Sequence, residues 1–205
     1  MVTMDKTELL YDHYKETVRV STDMQAKRNT LFVYVCVFEL LNFLMLLFPQ
    51  VINSALSTFL LEAYKVSLSE LLGLLPTGIW LITTYVLVRY FQTTIYVERQ
   101  YPYIEVIEAE IAKETRLACF DRESKAYLSN YPKVLDLIHI FYTWMIPILL
   151  QVINTVKITL EWKAAPSTAT TWVNTLIYAF LLVLTILFLI FMHTPAKPVK
   201  RHNKK

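Results

Sequence analysis

Four uninterrupted apolar blocks constrain the fold of this chain more than any other feature. They cover residues 31–48, 71–88, 137–156 and 172–192, and Glu39 is the only acidic, lysine or arginine residue within them. A helix of about 20 residues crosses a hydrocarbon core of roughly 30 Å, so each block is long enough to span a bilayer. Membrane-spanning strands alternate over about 10 residues, whereas these blocks are apolar on every side. The blocks therefore predict an all-α integral membrane protein with four transmembrane helices.

The composition agrees with a membrane location. Hydrophobic residues make up 55% of the chain, the mean hydropathy is +0.40, and only 2 of the 205 residues are glycine. A secretory signal peptide begins with a short basic region, but the segment before the first block contains acids such as Asp5, Glu8 and Asp12. We therefore expect the first block to be a transmembrane helix and not a signal peptide.

The distribution of Lys and Arg predicts the orientation, because cytoplasmic flanks are enriched in these residues. Residues 1–30 contain five, residues 89–133 contain seven, and the tail after Met192 contains five. The two remaining loops contain three between them. These three are Lys65, Lys157 and Lys163. The split of 17 against 3 predicts that both termini and the 89–133 segment are cytoplasmic, with basic groups that contact membrane lipids.

The blocks and the segments between them predict the domain organisation. Apolar residues at helical spacing predict that residues 5–29 form an amphipathic helix, and that an outer helix capped by Asn53 or Ser54 lies flat in the interface. Pro102 is expected to kink or interrupt the helix that leaves the second block. The predicted units are a cytoplasmic amphipathic helix (1–30), transmembrane helices 1 and 2 with the interfacial outer helix (31–92), a cytoplasmic helical loop (93–133), transmembrane helices 3 and 4 (134–192) and a basic cytoplasmic tail (193–205).

Catalytic motifs and cofactor sites are not indicated. The four histidines are spread over separate segments, and the two glycines both lie in the second block, so no metalloprotease motif, nucleophile elbow or phosphate-binding loop can be formed. The two cysteines, Cys36 and Cys119, are expected to stay reduced, since one is in the first block and the other in the cytoplasmic loop. We expect neither an enzyme nor a bound cofactor or metal.

Polar residues inside the apolar blocks are the candidate functional residues of the membrane region. A carboxylate near the bilayer centre costs a few kcal/mol if it faces lipid, so Glu39 is expected to face protein or water, together with Asn42 one turn further on. Asp136, at the cytoplasmic end of the third helix, and His139, one turn deeper, complete this set, and a contact between Glu39 and His139 can be drawn. Two interpretations stay open, a neutralised pair that joins two helices of one subunit and a polar path formed by several copies.

Two segments carry a resemblance to a known group of proteins. They are residues 96–111, YVERQYPYIEVIEAEI, and residues 131–144, YPKVLDLIHIFYTW, which accompany the charged helix before the first block. Over its whole length the chain resembles the small four-span membrane effectors of bacterial antiphage systems. It looks most like the channel effector of the Hailong system, and the membrane subunit of the Kiwa system is a second candidate.

The resemblance implies a cyclic homo-oligomeric channel, a tetramer, in the bacterial inner membrane, whose opening depolarises the infected cell. It also implies a cytoplasmic face that binds single-stranded DNA oligomers made by a partner nucleotidyltransferase. For such a polyanion the candidate contacts are basic residues of the cytoplasmic segments, and Tyr96, Tyr101, Tyr103 or Tyr127 is available to stack on bases. These basic residues are Arg19, Lys27, Arg28, Arg99, Arg116, Arg122 and Lys125. A membrane sensor or scaffold that recruits a soluble partner without conducting ions is the alternative, and a small transporter is a third.

Overall fold

The computed structural model describes residues 6–64, 73–116, 137 and 140–194. Within these ranges the chain is helical and contains no strand, so the prediction of an all-α protein is confirmed for the described residues. The helices are α1 (Lys6–Leu47), α2 (Pro49–Tyr64), α3 (Leu75–Thr115), α4 (Ile146–Ala164) and α5 (Ala169–His193), and a π-helical turn (Phe141–Met145) leads directly into α4.

Three helical segments are long and apolar enough to cross a membrane. They are Lys6–Leu47, Phe141–Ala164 and Ala169–His193. The predicted second span, residues 71–88, is described only from residue 73, and α3 begins at Leu75. The helical part of that block, residues 75–88, is about 21 Å long at 1.5 Å per residue, which is shorter than a hydrocarbon core of about 30 Å. The structure is therefore compatible with a multi-pass membrane protein, and a fourth span stays a prediction.

Helices α1 and α3 form a long antiparallel pair. The contacts run from Lys6 with Glu114 at one end to Asn42 with Thr83 at the other. Both helices are continuous through the positions at which a cytoplasmic segment was predicted to meet a transmembrane one, near residues 30 and 92. Each helix therefore runs without a break from the bundle into the part of the α1–α3 pair that lies beyond it.

The position of Pro102 corrects one sequence-based expectation. Pro102 lies inside α3, which runs on to Thr115, so the predicted interruption of this helix is wrong. Pro76 lies in the first turn of α3, where proline is well tolerated because the first helical N–H groups have no partner within the helix. Pro147 follows the π-helical turn Phe141–Met145 at the start of α4.

Helices α4 and α5 pack as a hairpin against the α1–α3 pair. The core is apolar and contains Val35, Trp80, Tyr90, Phe91 and Phe188, each at most 2% exposed. The C-terminal ends of α1 and α4 lie beside the N-terminal ends of α3 and α5, as the contacts among Asn42, Thr83, Trp80, Glu161 and Asn174 show. We refer to this end of the bundle as the Ala165 end, after the residue that caps α4.

The outer surface of the bundle is apolar. Leu40 on α1, Ile82 on α3, Leu149 on α4 and Leu176 on α5 are each at least 45% exposed. Such a surface suits contact with lipid or with another subunit. Helix α2 begins at Pro49, earlier than the predicted cap at Asn53 or Ser54, because only Phe48 separates it from α1.

Candidate functional site in the helix bundle

Buried polar side chains form a band across the bundle towards its Ala165 end. Glu39 and Asn42 on α1 are 4% and 2% exposed, and Asn154 and Lys157 on α4 are each 1% exposed. Thr83 on α3 is fully buried. We call these residues, together with Trp80, Glu161 and Asn174, the polar band. It places charged groups inside an otherwise apolar core, where they are costly unless paired.

The first half of the polar band joins α1 to α4 and α3. The Asn154 side-chain amide donates to Oε1 of Glu39 at 2.8 Å and to the carbonyl of Leu150 at 2.9 Å. One turn further along α1, Nδ2 of Asn42 donates to Oγ1 of Thr83 at 2.9 Å. The helical spacing of three residues between Glu39 and Asn42 places both on the inward face of α1.

The second half of the polar band is centred on Glu161. Its Oε1 accepts a hydrogen bond from the Trp80 indole at 2.8 Å, and its Oε2 accepts one from Nδ2 of Asn174 at 2.9 Å. Lys157 lies one turn before Glu161 on α4, with 3.9 Å between Nζ and Oε1. The Lys157 ammonium also sits 3.4 Å from the centroid of the Trp80 ring, a cation–π contact.

Lys157 is the electrostatic link between the two halves. It follows Asn154, the partner of Glu39, by three residues on α4 and precedes Glu161 by four, so it shares a helical face with both. With both carboxylates and the ammonium ionised, the polar band carries one net negative charge. In that ionised state the arrangement can hold a cation or let a lysine exchange its partners.

The structure places the predicted membrane-site residues as follows. Glu39 and Asn42 are brought together in the core of one protomer. The described hydrogen-bond partner of Glu39 is Asn154 on α4, a residue that the sequence analysis did not single out. His139 and Asp136 lie outside the described residues, so the contact between Glu39 and His139 stays untested.

Sequence reasoning assigned Lys157 to an outer loop, and this is wrong because α4 continues to Ala164 and buries this side chain. Lys163, counted in the same loop, also lies in the last turn of α4. A signal was available, since Asn154, Lys157 and Glu161 follow one another at spacings of three and four, which places them on one helical face. The predicted block stops at residue 156 because Lys157 is charged, although the helix continues to Ala164.

The part of the α1–α3 pair beyond the bundle has its own polar contacts. Nε2 of His13 lies 2.7 Å from the Tyr103 hydroxyl, and the Tyr14 hydroxyl donates to Oε1 of Glu108 at 3.1 Å. Ile104, Ile107 and Ile111 of α3 are at most 5% exposed on the shared face. The amphipathic helix predicted for residues 5–29 therefore has a partner surface on α3.

The predicted ligand-contacting basic residues do not form one patch within the described residues. Arg19 makes two hydrogen bonds to Glu16 on its own helix, at 3.0 and 2.7 Å, and this guanidinium lowers the pKa of the Glu16 carboxyl. Arg28 lies over the Tyr142 ring at 4.5 Å. Lys27, Arg99 and Arg116 are exposed, and Arg99 and Arg116 are about 26 Å apart along α3.

Two further predicted contacts, Arg122 and Lys125, fall outside the described residues, as does Tyr127. Of the other tyrosines proposed to stack on bases, Tyr101 contacts Gln25 and Tyr103 contacts His13, while Tyr96 is 40% exposed. The described contacts therefore give two of these tyrosines a packing role within the α1–α3 pair.

Comparison of this chain with protein-family descriptions, with curated proteins and with solved structures gave no match.

Proposed function

We propose that this protein is a gated ion channel of the inner membrane, with four transmembrane spans per protomer and a cyclic homotetrameric assembly. The observation that supports it is the polar band, in which Glu39 and Lys157 are buried inside an apolar bundle and 11% of the Glu161 side chain is exposed. Charged groups at such a depth are expensive to keep, and in membrane proteins they commonly mark ion pathways. The exposed faces of the described bundle are apolar and offer nothing to bind an ion. The side chains of each protomer that interact with ions are therefore those of the polar band.

We place the control of this channel in the α1–α3 pair. A ligand shifts an equilibrium between open and closed states only by binding them with different affinity. Because α1 and α3 are continuous, a ligand that separates or tightens the pair outside the bundle also moves Glu39 and Trp80 inside it. This coupling is the physical basis for a trigger on the cytoplasmic side.

The biological role proposed here is that of an antiphage effector, and it rests on the resemblance of residues 96–111 and 131–144 to Hailong and Kiwa membrane proteins. The associated ligand is single-stranded DNA made by a partner nucleotidyltransferase. Among the described residues, the proposed DNA contacts that are exposed are Arg99 and Arg116 of α3 and Lys27 of α1. Neutralising phosphates releases counterions, so DNA binding at these residues weakens steeply as salt is raised.

Ion flux through liposomes that contain the purified protein tests the conduction proposal. We expect Glu39→Gln to lower cation flux at least tenfold, because the substitution keeps the shape and the acceptor for Asn154 but removes the charge. Glu62→Gln is the matched control, since Glu62 is an exposed acid on α2 outside the bundle. Single-stranded DNA added to the cytoplasmic face should change the wild-type flux.

Equal flux through wild-type and Glu39→Gln protein contradicts a role for the polar band in conduction. Absence of flux from the wild-type protein, with and without DNA, favours the second candidate, a membrane sensor or scaffold. The observation behind that candidate is the exposed outer surface of the α1–α3 pair, which offers the apolar side chains of Leu9 and Val106 to a partner.

Topology is tested separately with a reporter that is active only outside the cytoplasm. We expect activity when the reporter is inserted at Ala165, in the short connection between α4 and α5, and no activity when it follows Lys205. The charge split of 17 against 3 is the reason for this expectation. Activity after Lys205 contradicts the four-span arrangement with both termini in the cytoplasm.

A further inference from the structure

Four oxygen atoms of the polar band have no hydrogen-bond partner among the described residues. One is Oδ1 of Asn174, beside Glu161, and the other three lie in the half of the band that contains Glu39. These three are Oε2 of Glu39, Oδ1 of Asn42 and Oδ1 of Asn154, and each belongs to a side chain that is at least nine-tenths buried. Buried oxygens of this kind are normally satisfied, since an unmet acceptor costs about 1–3 kcal/mol. Three unsatisfied oxygens on the contacting helices α1 and α4 are more than helix packing requires. They indicate that this part of the core binds a group that supplies hydrogen bonds or positive charge.

The neighbouring hydrogen bonds identify the two amide atoms as acceptors, and Oε2 of Glu39 is the third acceptor when this carboxyl is ionised. Asn154 faces the Glu39 carboxylate and the Leu150 carbonyl, neither of which can donate, so its nitrogen must point to them and its oxygen away. The Thr83 hydroxyl donates its only hydrogen to the carbonyl of Ile79, so Asn42 must present its nitrogen to Thr83. The orphaned atoms are therefore oxygens in need of a donor or a cation.

Lys157 is the nearby positive group, but it is turned away from these oxygens. Its ammonium lies over the Trp80 ring and towards Glu161, and it makes no hydrogen bond within the described part of the chain. In the structure its acidic neighbour is Glu161. The second acid of the polar band is Glu39, which is bound to Asn154 one turn before Lys157 on α4.

We propose that Glu39, Asn42 and Asn154 form a dehydrated binding site for a monovalent metal cation, with Lys157 as a tethered competitor. Carboxylate and amide oxygens are the ligands that hard cations take. One carboxylate and two neutral amides supply a single negative charge, which balances Na⁺ or K⁺. A divalent ion beside the Lys157 ammonium is left with excess positive charge in a low-dielectric core.

The competition gives the site two states. When a cation occupies the three oxygens, Lys157 stays on Trp80 and Glu161, and when the cation leaves, the ammonium moves to the Glu39 carboxylate. The inference rests on the proposed function because it names the ion that the polar band selects. Cation binding is measured in detergent micelles, where no flux occurs, whereas conduction is measured in liposomes. A failure of the binding site is therefore distinguished from a failure of conduction.

The experiment is thermal unfolding of the purified full chain in detergent micelles, in chloride salts of Na⁺, K⁺ or N-methyl-D-glucamine at constant ionic strength. We expect a saturable rise in Tm of about 5 °C with Na⁺ or K⁺ and none with the large organic cation. Equilibrium binding of radioactive ²²Na⁺ then gives the affinity and the number of sites. Glu39→Gln should abolish both the rise and the binding.

Asn174→Ala is the matched control, since Asn174 is an equally buried amide that contacts Glu161 and not Glu39. This variant should keep the Na⁺ response, whereas Asn42→Ala should lower the affinity about tenfold and Lys157→Gln should raise it by a similar factor. A rise that persists in Glu39→Gln, an equal rise with N-methyl-D-glucamine, or no rise and no ²²Na⁺ binding overturns the site. If Glu39→Gln aggregates, unchanged affinity in Asn42→Ala overturns it.

Discussion

Replacing Glu161 with alanine is expected to destabilise the bundle by about 3–5 kcal/mol, because it leaves a buried charge without its partner. The Glu161 carboxylate accepts from Trp80 and Asn174 and lies 3.9 Å from the Lys157 ammonium, whose side chain is 1% exposed. Its removal orphans three polar groups at once. The measurement is reversible unfolding in mixed micelles, followed by circular dichroism as the fraction of denaturing detergent rises.

Two variants separate charge from packing at this position. Glu161→Gln keeps an acceptor for the Trp80 indole but not the charge, so we expect it to fall between wild type and Glu161→Ala. The double variant Lys157→Met with Glu161→Leu removes both charges, so the uncompensated ammonium is gone, but the Trp80 indole and Asn174 still lack their acceptor. We therefore expect it to recover part of the lost stability. A loss below about 1 kcal/mol for Glu161→Ala contradicts the central position assigned to this residue.

Replacing Phe188 with alanine is expected to cost about 3–5 kcal/mol, the range seen for large-to-small changes of buried aromatic residues. Phe188 is 1% exposed and its ring stacks on Phe91, with 4.3 Å between centroids and an angle of 17° between planes. This stack holds α5 against α3. In lipid the association of helices depends on such packing, because burial from lipid supplies little hydrophobic driving force.

Phe191→Ala provides the matched control for this second prediction. Phe191 is on the same helix, one turn further on, and is 54% exposed. Its truncation removes contacts with surrounding lipid or detergent and leaves no cavity, so we expect a change below about 1 kcal/mol. Equal losses for Phe188→Ala and Phe191→Ala in the same unfolding assay contradict the packing of α5 described here.

The helical class was predictable from sequence because it depends on a property of single segments. A block that is apolar on every side and about 20 residues long can satisfy its backbone hydrogen bonds only as a helix when it is in lipid. The same argument holds for the inward orientation of Glu39, since a carboxylate in an apolar segment is too costly in free energy when it faces lipid. Neither conclusion requires knowledge of the neighbouring helices.

Helix boundaries were less predictable, and the reason lies in how charge was interpreted. The predicted block 137–156 ends before Lys157, which the sequence assigns to a loop, whereas α4 carries Lys157 into the core and Glu161 to its edge. Charged residues end a membrane segment only when they have no partner within it. Trp80 and Asn174 supply that partner surface, and both come from other helices.

Composition and block length were enough to establish helices suited to a membrane, because hydrophobicity and helical period are properties that each segment carries alone. The partners of Glu39 and Lys157 were decided by tertiary packing. A helical period tells which residues share a face, but it does not tell which helix that face meets or at what depth. That is why Asn154, far along the chain from Glu39, joined the candidate site only when the four helices were placed together.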